Sequence, residues 1–379
     1  MKIAFYAPMK PVDDPTPSGD RQMALALIRA LERAGHDVRI ASHFRSWCRA
    51  GGGDAMQKLA DQAMAEAKTV LQGWKGDNYR PDLMLTYHVY HKAPDWIGPA
   101  LSRATGAAYM IVEGARALKQ KSGPWAVGFA AADAAFDHAD AVVAIHAEDA
   151  EGLAPIVPPE RLWLLPPFID TKAFREAAQS RSAAEAPRLL TVAMMRDGDK
   201  RASYEVLARA LARLGDRPWH LTVAGDGPAG EAIRALFPAG RTRFLGQVPP
   251  AGMPSVYADA DLFVWPAINE AYGLVLLEAQ AAGLPVIAGR TGGVPDIVTD
   301  GETGLLTPEG DDAAFAAALA RLLDDPGRRA RMGLAASRKA AADHDFDGAQ
   351  IRLRTIIDAA LARHKKGQRD MQENGCGAP

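Results

Sequence analysis

The feature that most constrains the fold is a rhythm of short apolar segments alternating with helical segments, which occurs twice along the chain. Residues 2–7, 37–41 and 81–88 have the apolar character of buried strands, and an amphipathic helix at 21–34 separates the first two. The same alternation restarts at Leu189 and continues through the second half. This repeated βαβ pattern predicts an α/β fold with two Rossmann-like domains facing a cleft.

Domain boundaries follow from a change of composition between the two halves. Residues 176–187 are rich in alanine, serine, arginine and glutamate, as is typical of a linker. Near the end, an amphipathic helix is followed by a polar segment that indicates disorder. The predicted organisation is an N-terminal domain at 1–175, the linker at 176–187, a C-terminal domain at 188–345, a helix at 346–364 and a disordered tail at 365–379.

Overall composition excludes several classes of protein. The net charge of −2 provides no basic field, so no nucleic-acid partner is expected. The two cysteines, Cys48 and Cys376, form no metal-ligand spacing and fit a reducing compartment. The chain enters a strand at Lys2 without a secretory signal, and no apolar run approaches the roughly 20 residues that span a bilayer. A cytoplasmic protein is predicted, and peripheral contact with a membrane stays open.

Two glutamates flank the predicted start of a helix in the second half. The buried strand at 261–265 ends at Pro266, so Glu270 lies on a loop and Gly273 begins the helix that carries Glu278. A helix N-terminus presents free N–H groups and favours a phosphate. Acids beside such a site fit the neutral hydroxyls of a sugar or ribose attached to that phosphate.

The same two acids allow other interpretations. Glu270 is also compatible with a plain surface acid, and Glu278 with a helix residue that pairs with a neighbouring cation, because an unpaired buried charge is expensive. Paired carboxylates are further typical of glycoside hydrolysis. That reaction needs one carboxyl with a raised pKa, and it leaves the nearby cations unexplained.

Two cations, Arg196 and Lys200, follow the first strand of the second half. The planar fork of arginine and the point charge of lysine suit a diphosphate. Asp197 and Asp199 lie between and beside them, however, and such mixed charge equally indicates a solvated loop.

A glycine-rich turn follows the next strand. Gly225, Asp226 and Gly227 begin a GxGxxG pattern at 225–230, which suggests a dinucleotide site. No acid stands at the end of the following strand, at 247–248, to hold the ribose of a nicotinamide cofactor. We therefore interpret the glycines as a tight turn that lines a nucleotide pocket.

In the first half, polar residues cluster where predicted strands end. Gly19 lies on a long loop after the first strand, where a glycine either lets a ligand approach the backbone or simply makes a turn. Further polar side chains follow two later strands, namely His88, Tyr90, His91, Lys92 and Glu113.

Several motifs of the second half together resemble the C-terminal signature of family 4 glycosyltransferases. They comprise Glu270-x7-Glu278-Ala279, Ala282-Gly283-x-Pro285-Val286, Gly292-Gly293, Gly301-x-x-Gly304 and Ala224-Gly225-Asp226-Gly227-Pro228. The similarity extends over 189–306. The first half resembles the family more loosely, through its opening strand, the Gly19 loop and Gly35-His36.

This resemblance implies a GT-B fold whose last helix crosses back to the first domain. It also implies that a sugar is transferred from a nucleotide donor with retention at the anomeric carbon, without a required metal or cofactor. On the matching residues, Arg196 and Lys200 would hold the diphosphate and stabilise the leaving group. Glu278 would hold the ribose, and Glu270 the sugar hydroxyls. The backbone amides of Tyr272, Gly273 and Leu274 would lie beside the sugar hydroxyls that Glu270 holds.

The resemblance places the nucleotide donor on the C-terminal domain. The acceptor, a glycan, lipid or small molecule, would lie on the N-terminal domain near Gly19, His88 and Glu113. The chain departs from the family in two respects. Arg196 and Lys200 are one residue closer than usual, and Glu113 stands where many members have a histidine. His88, one strand earlier, either compensates for that histidine or is a polar residue at a strand end.

The predicted function is that of a retaining glycosyltransferase that moves a hexose-type sugar to an acceptor. The alternatives are a nucleotide-sugar epimerase of the same fold and a non-catalytic sugar-nucleotide binder. The predicted catalytic residues are Glu270, Arg196, Lys200 and Glu113. The predicted nucleotide-sugar-binding residues are Glu278, Gly273, Leu274, Tyr272, Gly19, Gly225, Asp226 and Gly227, and no metal site is predicted.

Overall fold

A computed structural model of the protein describes residues 1–16, 18–182, 184–271 and 273–375, with side chains described up to residue 370. Within these ranges the chain divides into two α/β units. The first unit comprises Met1–Pro166 and the chain from Ala349 onward, and the second comprises Pro167–Gly348. Each unit is built on one parallel sheet of six strands, as the βαβ pattern predicts.

The strands of the first unit are β1 Lys2–Tyr6, β2 Asp37–Ser42, β3 Leu83–Val89, β4 Ala108–Gly114, β5 Ala141–Ala144 and β6 Leu162–Leu164. Its helices up to the unit boundary are α1 Gly19–Arg33, α2 Gly53–Gly76, α3 Ile97–Thr105, α4 Ala126–His138 and α5 Ala147–Leu153. Short 3₁₀ helices at Leu118–Gln120 and Gly123–Trp125 precede α4. The strand order is β2-β1-β3-β4-β5-β6.

The strands of the second unit are β7 Arg188–Val192, β8 His220–Ala224, β9 Thr242–Gly246, β10 Leu262–Trp265, β11 Val286–Gly289 and β12 Gly304–Thr307. Its helices are α6 Thr171–Ala178, α7 Asp199–Ala212, α8 Gly230–Arg234, α9 Met253–Ala258, α10 Leu274–Ala281, α11 Val294–Ile297, α12 Asp312–Leu323 and α13 Pro326–Asp343. A 3₁₀ helix at Pro250–Gly252 leads into α9. The strand order is β12-β11-β10-β7-β8-β9.

Both sheets change direction beside their first strand. β1 pairs with β2 on one side and β3 on the other, and β7 pairs with β8 on one side and β10 on the other. Helices cover both faces, so every residue of β4, β5, β10 and β11 is buried. In such sheets ligands bind at the carboxyl edge, where the order reverses. That edge is where the predicted site residues lie.

The last helix, α14 Phe346–Gly375, confirms the prediction that the chain returns to the first unit. It begins in the second unit, and from Ala349 onward it belongs to the first. Its apolar face is buried at Leu353, Ile356 and Ile357, whereas Ile351 is 69% exposed.

The unit boundaries differ from the predicted ones. The first unit ends at Pro166, earlier than the predicted 175. Residues after it are tied to the second unit, because the backbone N–H of Ile169 donates to the carbonyl of His344 at 3.0 Å. The predicted linker at 176–187 begins inside α6, and the guanidinium of Arg181 donates to the Ala282 carbonyl at 2.7 Å. The predicted tail likewise begins inside α14, which continues to Gly375.

Candidate active site

In the second unit, the loops that leave β7 and β10 share the carboxyl edge of the sheet at its reversal point. The two strands are hydrogen-bonded neighbours, with Leu262 opposite Leu189 and Phe263 opposite Leu190. The loop after β7 carries Arg196 and leads into α7, which begins at Asp199. The loop after β10 leads into α10. Segments far apart in sequence therefore meet at one edge.

The predicted acid and cation are brought together there. The Nζ atom of Lys200 donates a short hydrogen bond to Oε2 of Glu270, and the indole N–H of Trp265 donates to the same oxygen at 3.1 Å. The Lys200 ammonium lies 5.4 Å from the centre of the Trp265 ring, within cation–π range. Both charged side chains are mostly buried, at 16% and 14% exposure. The second Glu270 oxygen, Oε1, has no protein partner among the described residues and is available to a ligand.

The loop that carries Glu270 is held in place by hydrogen bonds to other segments. Asn269 has a left-handed backbone with φ 47°, which is uncommon outside glycine. Its backbone N–H donates to Glu309 at 2.7 Å, and its side-chain amide donates to Asp199 at 3.0 Å. The preceding N–H, of Ile268, donates to the hydroxyl of Ser203 at 3.0 Å. These contacts fix Glu270, and no sequence pattern indicated them.

The glycine turn after β8 packs on the loop after β7. Gly225 and Gly227 have φ of 140° and 153°, and a Cβ at either would collide with the carbonyl oxygen of Ala193 or Met195 respectively. The backbone N–H of Met195 also donates to the carbonyl of Asp226 at 2.9 Å. The close approach that these glycines permit is therefore to the chain's own backbone. Their contact with a nucleotide stays a prediction.

Arg196, the residue after Met195, is exposed, and no ion pair involves its guanidinium among the described residues. Close by in the chain, α7 begins after Gly198 without a side-chain cap. A free guanidinium and an uncapped helix start are both suited to an anion.

The second helix start at this edge is that of α10. Its N-cap, Gly273, is left-handed with φ 66° and provides no side-chain cap, so the amides that begin at Leu274 are open to an anion. A Cβ at Gly273 would lie 2.7 Å from the side chain of Leu276, which explains the glycine. Tyr272 lies outside the residues that the structure describes.

Glu278 is half-buried on the apolar helix α10. Burial raises the pKa of its carboxyl to about 7, although a hydrogen bond from the Tyr257 hydroxyl to Oε2, at 2.7 Å, opposes the increase. Its Oε1 has no hydrogen-bond partner among the described residues. Glu278 thus forms no hydrogen bond to Lys200, and its free oxygen is available to accept from a hydroxyl.

In the first unit, the structure joins His88 and Glu113 with a residue that sequence reasoning missed. Nδ1 of His88 lies 2.5 Å from Oδ1 of Asp20 and 3.0 Å from Oε1 of Glu113. Asp20 follows Gly19 in the first turn of α1, which Ser18 caps. A first-turn acid usually serves only the helix dipole, so the sequence carried no distinct signal for Asp20.

His88 and Glu113 occupy matching positions on neighbouring strands. Tyr87 pairs with Val112 and Val89 with Gly114, which places the two side by side. Both are left-handed, with φ of 64° and 65°, a conformation that costs energy and clusters at functional sites.

Charge and burial compete in this cluster. Burial disfavours the imidazolium of His88, but the carboxylates of Glu113 and Asp20 outweigh that effect and raise its pKa well above the usual value. Burial also raises the pKa of the Glu113 carboxyl, while the neighbouring His88 lowers it.

A cavity of about 350 Å³ lies where the chain leaves β3 and β4, and one of its lining residues, Tyr90, has its ring 4.9 Å from that of His88. Tyr90, His91, Arg116 and Lys119 are among the residues that line it. His91 is 9% exposed, and neither ring nitrogen has a partner among the described residues. Burial, with Lys92 and Lys119 nearby, lowers its pKa to about 4, so its ring is neutral at neutral pH. Such a ring can donate and accept one hydrogen bond each.

Across the described residues, no helix combines the length and apolar character needed to span a membrane.

Comparison with known proteins identifies a matching family and several relatives. Residues 186–325 match the family described as "Glycosyl transferases group 1". A D-inositol 3-phosphate glycosyltransferase of Streptomyces avermitilis is 31% identical over 349 residues, which cover 83% of this chain and 73% of that protein. Its counterpart in Corynebacterium diphtheriae is 42% identical over 171 residues, or 41% of this chain. That match spans only 40% of the relative's length.

Solved structures agree on the fold. Sucrose-phosphate synthase from Thermosynechococcus elongatus superposes with a TM-score of 0.72 at 21% identity, covering 95% of this chain and 99% of that one. Anabaena HepE in complex with UDP gives a TM-score of 0.72 at 18% identity, covering 95% and 100%. The same protein in complex with UDP-glucose gives 0.69 at 18% identity, with the same coverage. These likenesses confirm the predicted GT-B fold.

Proposed function

The chain belongs to the family 4 glycosyltransferases, and on that premise we propose that it moves a hexose-type sugar from a nucleoside-diphosphate donor to an acceptor, with retention at the anomeric carbon. The observation that carries the proposal is the Lys200–Glu270 pair at the reversal point of the second sheet. An enzyme of this kind needs a cation for the leaving diphosphate and an acceptor of hydrogen bonds for the sugar hydroxyls. The pair supplies both at one place.

The surrounding groups support separate roles for the cations, which would bind the diphosphate, and the acids, which would bind hydroxyls. The free guanidinium of Arg196 and the uncapped starts of α7 and α10 suit the diphosphate, whose negative charge grows as the sugar leaves. Oε1 of Glu270 faces no donor from the residues that the structure describes and is assigned to the sugar hydroxyls. The open oxygen of Glu278 is assigned to the ribose. The cations act on the leaving group in this proposal, so that step uses no metal.

The comparisons suggest which substrates to test first. HepE was solved with UDP and with UDP-glucose, which favours a uridine donor. The curated relatives are named for D-inositol 3-phosphate, which favours a phosphorylated polyol as acceptor. We propose that the acceptor lies on the first unit near Gly19, His88 and Glu113, and that the reaction takes place in the cytoplasm, with peripheral membrane contact if the acceptor is a lipid.

The test is to incubate the protein with sugar nucleotides, with and without an inositol phosphate, and to measure the released nucleoside diphosphate. NMR of the product then reads the anomeric configuration. Glu270→Gln and Arg196→Ala are each expected to lower release by about 10²-fold or more, because each removes a group that acts on developing charge.

Arg201→Ala is the matched control, because Arg201 is exposed and pairs only with Asp197 and Glu205 among the described residues. It is expected to leave the rate unchanged. Unchanged rates in both site variants would overturn the proposal. A sugar nucleotide with altered sugar and intact diphosphate would instead identify an epimerase, and binding without turnover a silent binder.

A further inference from the structure

The cluster of Asp20, His88 and Glu113 has the composition of a metal site. Each of the three side chains offers one ligand atom, and these three atoms all lie within 4.8 Å of one another. Among the described residues, this is the group that meets that criterion. The set holds one imidazole nitrogen and two carboxylate oxygens, each from a different element of the first sheet's carboxyl edge: α1, β3 and β4.

The cluster leaves one buried carboxylate oxygen without a partner. Oδ2 of Asp20 is buried and has no hydrogen bond among the described residues, whereas the hydroxyl of Tyr87 lies close enough to the Glu113 carboxylate to lower its pKa. The Asp20 and Glu113 side chains are only 10% and 4% exposed. Buried carboxylate oxygens normally find donors, so the unpartnered oxygen of Asp20 points to a ligand.

The geometry of the cluster suits a divalent cation. Two carboxylates lie within 3.0 Å of one imidazole nitrogen, and buried carboxylates are costly without a compensating cation. A divalent cation bound by both carboxylates and a neutral imidazole would give zero net charge.

We propose that Asp20, His88 and Glu113 bind a divalent first-row transition metal ion of the Zn²⁺ class. One imidazole nitrogen and two carboxylate oxygens are ligands that such ions accept, and three protein ligands leave a position open for an exchangeable oxygen. Ligand atoms at about 2.1 Å from the ion lie roughly 3.4 Å apart, so the present separations of 2.5 and 3.0 Å need to widen by less than about 1 Å. All three ligands belong to the first unit, and metal binding can be measured whether or not the proposed function holds.

The experiment titrates the chelator-treated protein with Co²⁺ and with Zn²⁺, in the absence of any sugar nucleotide. Calorimetry is expected to show saturable binding of about one equivalent, and bound Co²⁺ to show visible d–d absorption. Asp20→Asn and Glu113→Gln keep the side-chain shape while weakening the ligand, and each is expected to lower the affinity at least about tenfold.

His43→Gln is the matched control. Nδ1 of His43 lies 3.0 Å from Asp13, but both side chains are mostly exposed, at 57% and 64%. This variant is expected to bind like the wild type, which excludes this exposed histidine–aspartate pair as the source of the signal. Circular dichroism and thermal unfolding establish that the variants fold.

Two results would overturn the proposal: no saturable binding by the wild-type protein, or Asp20→Asn and Glu113→Gln proteins that bind as the wild type does. Because no sugar nucleotide is present, either result leaves the proposed glycosyl transfer untouched.

Discussion

At Glu278, the environment of one carboxyl sets a measurable dependence on pH. Its pKa is about 7 in the folded chain, against 4.5 in an unperturbed chain, because burial disfavours the carboxylate. The folded protein therefore keeps a proton that the unfolded chain has already released between these two values. The contribution of this group to the free energy of unfolding is complete below about pH 4.5 and is lost as pH rises through about 7.

Glu278→Gln should remove that loss. Between pH 5 and pH 7.5, deprotonation of Glu278 is expected to lower the wild-type free energy of unfolding by at most about 3 kcal/mol. The variant should not show this decrease. Urea unfolding at the two pH values measures it. Glu302→Gln, at an exposed position, is the control and should follow the wild type. An identical pH dependence in Glu278→Gln and wild type would contradict the burial argument.

Individual side chains also show which site residues local sequence patterns can indicate and which they cannot. Local patterns singled out Glu270 and Lys200, namely a strand end, a glycine and a helix start, and the structure pairs the two side chains. Their roles toward a ligand stay predictions. Asp20 could not be singled out in this way, since its role depends on β3 and β4 bringing His88 and Glu113 beside α1. No local pattern encodes a meeting of three elements so distant in sequence.

Among the secondary-structure elements and their connections, the glycine motif after β8 forms a turn that packs closely against the backbone of a neighbouring loop. Sequence reasoning expected a tight turn and no nicotinamide site, but it could not show that the turn packs on the loop after β7. The backbone oxygens of Ala193 and Met195 occupy the space where Cβ atoms of Gly225 and Gly227 would lie. The turn therefore positions the loop that presents Arg196.

Gly227→Ala should accordingly disturb Arg196 from a distance. The added Cβ meets the Met195 carbonyl, and the φ of 153° is itself unfavourable for alanine. We expect a loss of about 1–3 kcal/mol in stability. Release of nucleoside diphosphate should fall about 10–100-fold, because small displacements of catalytic groups are amplified in rate.

Gly240→Ala is the control for that change, because no heavy atom lies within 4 Å of its Cβ position. Urea unfolding and nucleoside diphosphate release are measured on both variants. If Gly227→Ala matched Gly240→Ala in both measurements, the turn would have no role in positioning Arg196.

Over the whole molecule, the α/β rhythm predicted both sheets and the family resemblance implied the return of the last helix, whereas the unit boundaries were not predicted. Composition marked 176–187 as a linker, but Arg181 is anchored to backbone carbonyls of the second unit. The change of unit instead falls at Pro166, where the sequence shows only a proline pair after a strand. Tertiary hydrogen bonds decided that boundary, and composition does not report them.

The return of α14 makes the first unit discontinuous in sequence, so its stability should depend on residues near the C-terminus. Leu353 is 2% exposed on α14 and belongs to the first unit, and Ile351 on the same helix is 69% exposed. Leu353→Ala should lower the free energy of unfolding by about 2–5 kcal/mol, because it removes buried methyl groups and leaves a cavity. Ile351→Ala should change it by less than about 0.5 kcal/mol. Urea unfolding gives the energies, and hydrogen exchange should locate the loss of protection in β1 to β6. Equal effects of the two substitutions, or a loss confined to β7 to β12, would show that the first unit is complete without this helix.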